Sequence, residues 1–132
     1  MLIRVSVNPT VLVVEDDPQL RQILAQILMA RGYRALTADG VEAAAPILRD
    51  AFPDVLLVDV RLGAFNGLQL VAMAERPIPT IVMTGHDDVA LRAAAERMGA
   101  EFLVKPIPSD VLIATVQRKV EAGPRVLSPV RR

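Results

Sequence analysis

A chain of 132 residues is near the commonest domain size and long enough to bury one real core. With 52% apolar residues it is not a disordered chain, and 15 basic against 15 acidic residues leave no overall field toward nucleic acid or an anionic membrane. The absence of cysteine excludes disulfides and thiolate metal sites and fits a reducing cytosol, and no apolar run approaches the ~20 residues that span a bilayer.

Residues 1–9 read as a short leader without the basic-then-apolar order of an export signal, and Asn8-Pro9 interrupts structure before the first strand. Val11 to Val14 form that strand and run into Glu15-Asp16-Asp17-Pro18, where Pro18 suits the first helical position and Asp17 the N-cap. Leu20, Ile23, Leu24, Ile27 and Leu28 repeat at the spacing of a helix facing a core, which Gly32 ends. Tyr33 to Ala38 is a weaker strand, polar enough for a sheet edge. A helix over 41–50 follows Asp39-Gly40, with a kink or late start expected at Pro46 because proline lacks a donor and clashes one turn back.

Val55-Leu56-Leu57-Val58 is an unbroken apolar run, read as a strand buried on both faces, and it ends in Asp59. A loop to Asn66-Gly67 and a two-turn helix over Leu68 to Ala74 come next. Thr80 to Met83 make a fourth strand ending at Thr84-Gly85. Asp87 or Asp88 caps a helix from Val89 to Met98, which Gly99 stops. Glu101 to Val104 make a fifth strand ending at Lys105-Pro106, and Ser109 caps a last helix with Leu112, Ile113, Val116 and Val120 on one face. Gly123-Pro124 ends that helix, so the organisation expected is a leader over 1–9, one domain over 10–122 and a loose basic tail over 123–132. The βαβαβαβαβα alternation implies an α/β doubly wound parallel sheet of five strands with helices on both faces.

In such a sheet the working site lies outside the carboxyl ends of the strands. That rim would gather Glu15 and Asp16 after the first strand, Asp59 after the third, Thr84 after the fourth and Lys105 after the fifth. Neighbouring carboxylates repel one another, and a hard divalent cation relieves this; Mg²⁺ takes oxygen ligands and keeps several waters. A lysine beside a carboxylate is a mobile point charge that can follow a phosphoryl oxygen, and a threonine hydroxyl can donate to another. Carboxylates serve as nucleophiles in phosphoryl transfer, where catalysis is largely positioning and charge neutralisation. The reading is an aspartyl-phosphate site: Asp59 attacks, Mg²⁺ is held by the acids, and Lys105 and Thr84 hold the transferred group. Taken singly, each of these residues has an ordinary explanation as helix-terminus charge, strand end or solvated exit. Those explanations do not require all of them to fall on one rim.

The motifs Val-Leu-Val-Val-Glu-Asp-Asp-Pro (11–18), Val-Leu-Leu-Val-Asp-Val-Arg-Leu (55–62), Val-Met-Thr-Gly (82–85) and Phe-Leu-Val-Lys-Pro (102–106) together resemble the response-regulator receiver domain of bacterial two-component signalling, over roughly residues 10–122. The resemblance implies a flavodoxin-like sheet of order 2-1-3-4-5 with five helices. It implies Asp59 as phosphoacceptor, Glu15 and Asp16 as the acid pair, with Asp16 the direct Mg²⁺ ligand and Glu15 acting through water, and a backbone carbonyl of Arg61 on the metal. Thr84 and Lys105 match the family's hydroxyl and lysine, and Phe102 the aromatic whose rotamer follows Thr84. The implied partners are a sensor histidine kinase or phosphotransfer protein, and a downstream protein target or self-dimer through the surface of the fourth helix, fifth strand and fifth helix. Such a domain is a cytoplasmic signalling phosphoacceptor that assists its own phosphorylation and dephosphorylation rather than an enzyme. It contacts neither nucleic acid nor membrane directly.

Three positions depart from the family pattern: Gly63 stands where proline is usual, Phe102 has no hydroxyl, and Pro46 is unusual in the second helix. Arg61 and His86 lie two residues beyond Asp59 and Thr84, positions that the resemblance implies flank the path of the hydrolytic water, so bulky side chains there should slow loss of the phosphoryl group. Gly123-Pro124 and the short tail favour a stand-alone receiver of the chemotaxis-regulator type, or a receiver cut at that point from a longer regulator with a DNA-binding output. A small Mg²⁺-dependent phosphatase is a weaker alternative, because such enzymes carry an Asp-x-Asp nucleophile on the first strand, unlike Glu15-Asp16-Asp17.

Overall fold

A computed structural model describes residues 8–62 and 65–123. Its strands are β1 (Thr10–Val14), β2 (Arg34–Ala38), β3 (Val55–Asp59), β4 (Thr80–Thr84) and β5 (Glu101–Val104). Between them lie α1 (Pro18–Ala30), α2 (Val41–Ala51), α3 (Gly67–Met73) and α4 (Val89–Arg97), with α5 (Ser109–Ala122) at the end. All pairings in the main sheet are parallel, in the order β2-β1-β3-β4-β5. The expected topology is therefore the observed one, and the polar strand β2 is indeed an edge.

The two-residue period of β3 explains both cores. Val55 and Leu57 point to one face, where they pack with Val11, Val13, Ile81 and Met83 beneath Leu24 and Leu28 of α1 and Leu112, Ile113 and Val116 of α5. Leu56 and Val58 point to the other, among Leu12, Val14 and Val82 beneath Ala44 of α2, Leu70 of α3 and Ala95 of α4. A strand covered on both faces has no polar row to alternate with, which is why its sequence is continuously apolar.

Several local expectations need correction. The late start at Pro46 does not occur: α2 begins at Val41 and runs through the proline. Pro46 denies a partner to the carbonyl of Glu42, but Glu42 is exposed, so water can supply one. Ser109 is the first helical residue of α5 rather than its cap; Pro108 holds the cap position and makes no side-chain cap bond. Asp88, not Asp87, caps α4, accepting from the N–H groups of Ala90 and Leu91. Ile23 lies at the border of the α1 stripe and is 51% exposed, while Ala25 is buried. The stretch after Asp59 is not plain loop, since Arg61–Leu62 pairs antiparallel with Phe65–Asn66. Tyr33 stands just outside β2. The leader over 1–7, the tail from 124 onward and Gly63 lie outside the described residues.

Candidate functional site

Parallel register brings the acids together. Val14 stands beside Val58, so Glu15 follows on β1 where Asp59 closes β3. The Glu15 N–H still donates to the Ala38 carbonyl at 3.1 Å, which keeps the chain in sheet geometry up to the acid. One carboxylate oxygen from each of Glu15, Asp16 and Asp59 lies within 4.8 Å of those of the other two. Glu15 and Asp59 are buried, at 1% and 5% exposure, whereas Asp16 is open to solvent.

The ammonium arrives from the other side. Thr84 pairs in register with Val104, and the Lys105 N–H donates to the Thr84 carbonyl at 2.7 Å, which carries the side chain of Lys105 over the rim. Its Nζ lies 2.8 Å from Glu15 Oε1 and 3.4 Å from Asp59 Oδ2. Burial pushes the Glu15 carboxyl above its ordinary range and the charge of Asp59 adds to this, outweighing the opposing hydrogen bonds from Lys105 and the Asp17 N–H. Burial works against the Lys105 ammonium, but its hydrogen bond to Glu15 and the charges of Asp59 and Glu15 prevail and hold it above its usual value. One ammonium among three acids leaves formal negative charge in excess. An all-oxygen donor set with one acid facing water suits a hard divalent cation that keeps part of its hydration, as Mg²⁺ does.

The remaining expected residues surround this cluster. The Arg61 N–H donates to Asp59 Oδ1 at 3.2 Å, and its side chain is exposed. Thr84 is buried and its Oγ1 accepts the His86 N–H at 3.2 Å, leaving the hydroxyl hydrogen to donate. Phe102 lies below the rim beside Val82 of β4, on the sheet face covered by α2, α3 and α4.

Three supporting residues escaped the sequence reading. Arg21 of α1 donates from Nη1 to the Glu15 carbonyl at 2.8 Å, bracing the acidic turn. Gly67 opens α3 directly against Asp59: a Cβ there would run into the Asp59 carbonyl oxygen. Arg92 of α4 sets its guanidinium 4.6 Å from the centre of the Phe102 ring and binds Asp87 Oδ1 from Nη2 at 2.8 Å. Only α3 had a readable sign, the Asn66-x-x-Gln69 capping box, in which Asn66 Oδ1 accepts the Leu68 N–H and Gln69 Oε1 accepts the Asn66 N–H. Arg21 and Arg92 are surface-helix arginines whose targets exist only once the helices dock.

Residues 11–117 match the family model of the response regulator receiver domain. The chain is 37% identical over 121 residues to the C4-dicarboxylate transport transcriptional regulatory protein DctD of Pseudomonas aeruginosa, an alignment covering 89% of this chain and 26% of that one. Among solved structures it is similar to the beryllofluoride-activated NtrC4 receiver domain dimer, with TM-score 0.79 and 29% identity over 86% of this chain and 97% of that one. A CheY-like receiver domain protein of Methanospirillum hungatei shares the fold at TM-score 0.81, with 22% identity over 87% of this chain and 95% of that one. This chain spans between about a quarter and about a half of the length of the curated relatives it matches. With the family matched across most of the chain and its parallel sheet in place, the protein belongs to the response regulator receiver domain family, the phosphoacceptor switches of two-component systems.

Proposed function

We propose that Asp59 is the phosphoacceptor, and the observation that carries this is a buried Asp59 carboxylate with the Lys105 ammonium at 3.4 Å and the acids Glu15 and Asp16 gathered beside it. An Asp59 oxygen attacks phosphorus, a P–O bond forms, and the P–N bond to the donor imidazole of a sensor histidine kinase or phosphotransfer protein breaks; the imidazole leaves and is reprotonated from solvent. Mg²⁺, when bound, supplies the positive charge that lets two anions approach. Asp16, exposed to solvent, would be the direct ligand, and Glu15, already bonded to Lys105, would act through water. Asp59 itself and the Arg61 carbonyl would complete the protein share of the ligands. Lys105 exchanges its hold on the acids for a phosphoryl oxygen, and Thr84 donates its hydroxyl hydrogen to another. Through these groups the chain assists both its own phosphorylation and its dephosphorylation.

As Thr84 moves, Phe102 follows on the same sheet face, and the surface of α4, β5 and α5 changes toward a downstream target or a second copy. The dimer described for the similar NtrC4 receiver and the partly exposed Val111 of α5 support that surface. Among the described residues no helix is long and apolar enough to cross a membrane, and cytoplasmic work suits the chemistry. A second reading has this chain as the receiver module of a longer transcriptional regulator. The names and lengths of its relatives favour it.

Adding beryllofluoride and Mg²⁺ tests the site. One saturable transition in the amide spectrum is expected, largest at Asp59, Thr84 and Lys105 and absent without Mg²⁺. Binding elsewhere, or sustained turnover of an aryl phosphate, would overturn the assignment. The backbone N–H groups of Arg61 and His86 bond Asp59 and Thr84, and both residues are exposed. Arg61→Ala and His86→Ala are expected to shorten the aspartyl-phosphate lifetime severalfold, followed by loss of label; unchanged lifetimes would refute that shielding.

A further inference from the structure

The turn that carries the acids is fastened at both ends. Glu15 is buried: its N–H donates to the Ala38 carbonyl at 3.1 Å, its Oε1 meets Lys105 Nζ at 2.8 Å and its Oε2 accepts the Asp17 N–H at 3.2 Å. Asp17 Oδ1 in turn accepts the N–H groups of Gln19 and Leu20 at the start of α1. None of these bonds reaches Asp16, which is exposed and stands between the two anchored residues.

The middle of the turn is held by Arg21. This half-buried side chain donates from Nη1 to the Glu15 carbonyl at 2.8 Å. That oxygen shares a rigid plane with the Asp16 N–H and Cα, so pinning it fixes the plane on which Asp16 is mounted. A guanidinium suits the task, because its planar fork loses less freedom per bond than a lysine ammonium.

On charge alone, Arg21 is badly placed. It is the fourth residue of α1, near the end of the helix where the dipole disfavours a cation. A positive charge close to acids that gather for a metal also repels that metal. If charge were its main effect, removing it would tighten every divalent ion. The bond to the carbonyl predicts a different outcome, because Mg²⁺ and Ca²⁺ respond differently to a loose turn. Mg²⁺ demands a near-ideal octahedron at about 2.0–2.1 Å, whereas Ca²⁺ accepts flexible arrangements of oxygens at about 2.3–2.6 Å. Acids held in place favour the smaller ion, and a mobile Asp16 lets the cluster widen for the larger one.

We propose that Arg21 is a positioning residue that makes the acid cluster selective for Mg²⁺ over Ca²⁺ by fixing the peptide between Glu15 and Asp16, given the reading of Glu15, Asp16 and Asp59 as the metal site.

Titrating the full chain with Mg²⁺ and separately with Ca²⁺, followed by the amide shifts of Asp16 and Asp59, tests this. Arg21→Met keeps an unbranched stem and removes the donor. It is expected to weaken Mg²⁺ by about tenfold, as loss of a group that orients a metal ligand does, and Ca²⁺ by no more than about threefold. The preference for Mg²⁺ should therefore fall by about threefold or more. Both ions carry the same charge, so the lost cation cancels from that ratio. Arg21→Gln, whose nitrogen ends two bonds short of the Nη1 position, should behave alike and decides the matter should Arg21→Met not fold. An unchanged ratio beside a lower denaturation midpoint would leave Arg21 a structural brace, and tighter binding of both ions would make its charge the dominant effect; either overturns the proposal. No saturable Mg²⁺ shift at Asp16 and Asp59 in the parent would instead overturn the metal reading itself, and the proposal with it.

Discussion

Asp59→Asn is expected to abolish beryllofluoride binding and phosphorylation while leaving the fold intact. The amide is nearly isosteric, so its oxygen can still accept the Arg61 N–H now received by Asp59 Oδ1 at 3.2 Å. It carries no charge, however, and a neutral amide oxygen is a poor nucleophile toward phosphorus. Lys105 loses a partner at 3.4 Å but keeps Glu15 at 2.8 Å, so no buried ammonium is stranded. Removing one of three clustered carboxylates also relieves Glu15, whose raised pKa owes part of its rise to Asp59. These opposing effects should hold the stability of the metal-free protein within about 1 kcal/mol of the parent. The loss of a charged ligand should weaken Mg²⁺ by about tenfold or more, roughly 1.4 kcal/mol. Calorimetric Mg²⁺ titration and denaturant melts measure the two quantities. Retained beryllofluoride binding in the variant would remove Asp59 from its role.

Gly67→Ala should damage the same site without touching any of its charged groups. The added methyl runs into the Asp59 carbonyl oxygen and crowds Val58, and both belong to a strand buried on two faces that cannot move aside. Overpacking of this kind costs about 1–3 kcal/mol, and the better helix propensity of alanine returns at most about 1 kcal/mol. Part of the collision should be relieved by displacing the turn from Asp59 to Gly67, where the Gly67 N–H donates to the Val60 carbonyl at 2.8 Å. Slower phosphorylation is therefore expected along with lower stability. Gly40 provides the control: a Cβ there meets nothing within 4 Å, and its φ of −176° is ordinary extended backbone. Gly40→Ala should stay within about 0.5 kcal/mol of the parent. Equal stability for Gly67→Ala and Gly40→Ala would show that the turn yields freely.

Much of the fold was legible because its signals are local. Val55 to Val58 can only be a doubly covered strand if the chain is an alternating α/β protein, and Leu24 with Leu28 falls where the helical period places it. The misreadings have local causes as well. Ser109 has the side chain of a cap, but proline, fixed near φ −60°, already held that position. Ile23 belongs to the apolar period of α1 yet sits at the border of the stripe, beyond the reach of the sheet. Pro46 argues against a helix on intrinsic grounds, yet Ala44 of α2 is fully buried against the sheet and tertiary packing keeps the helix whole.

The candidate site divides along the same line. Its reacting groups each end a strand, so the order of elements and the rule that parallel strands share a carboxyl rim were enough to assemble Glu15, Asp16, Asp59, Thr84 and Lys105 from sequence. The groups that position them were not recoverable in that way. Arg21 reaches a carbonyl six residues back, Gly67 is needed because α3 presses on Asp59, and Arg92 covers Phe102 from a different helix. Periodicity and strand ends report what each residue's own segment requires, and the sequence by itself determined the fold class and the reacting set. Distances between docked helices depend on how side chains from separate segments fill shared space, and only the tertiary structure decided those.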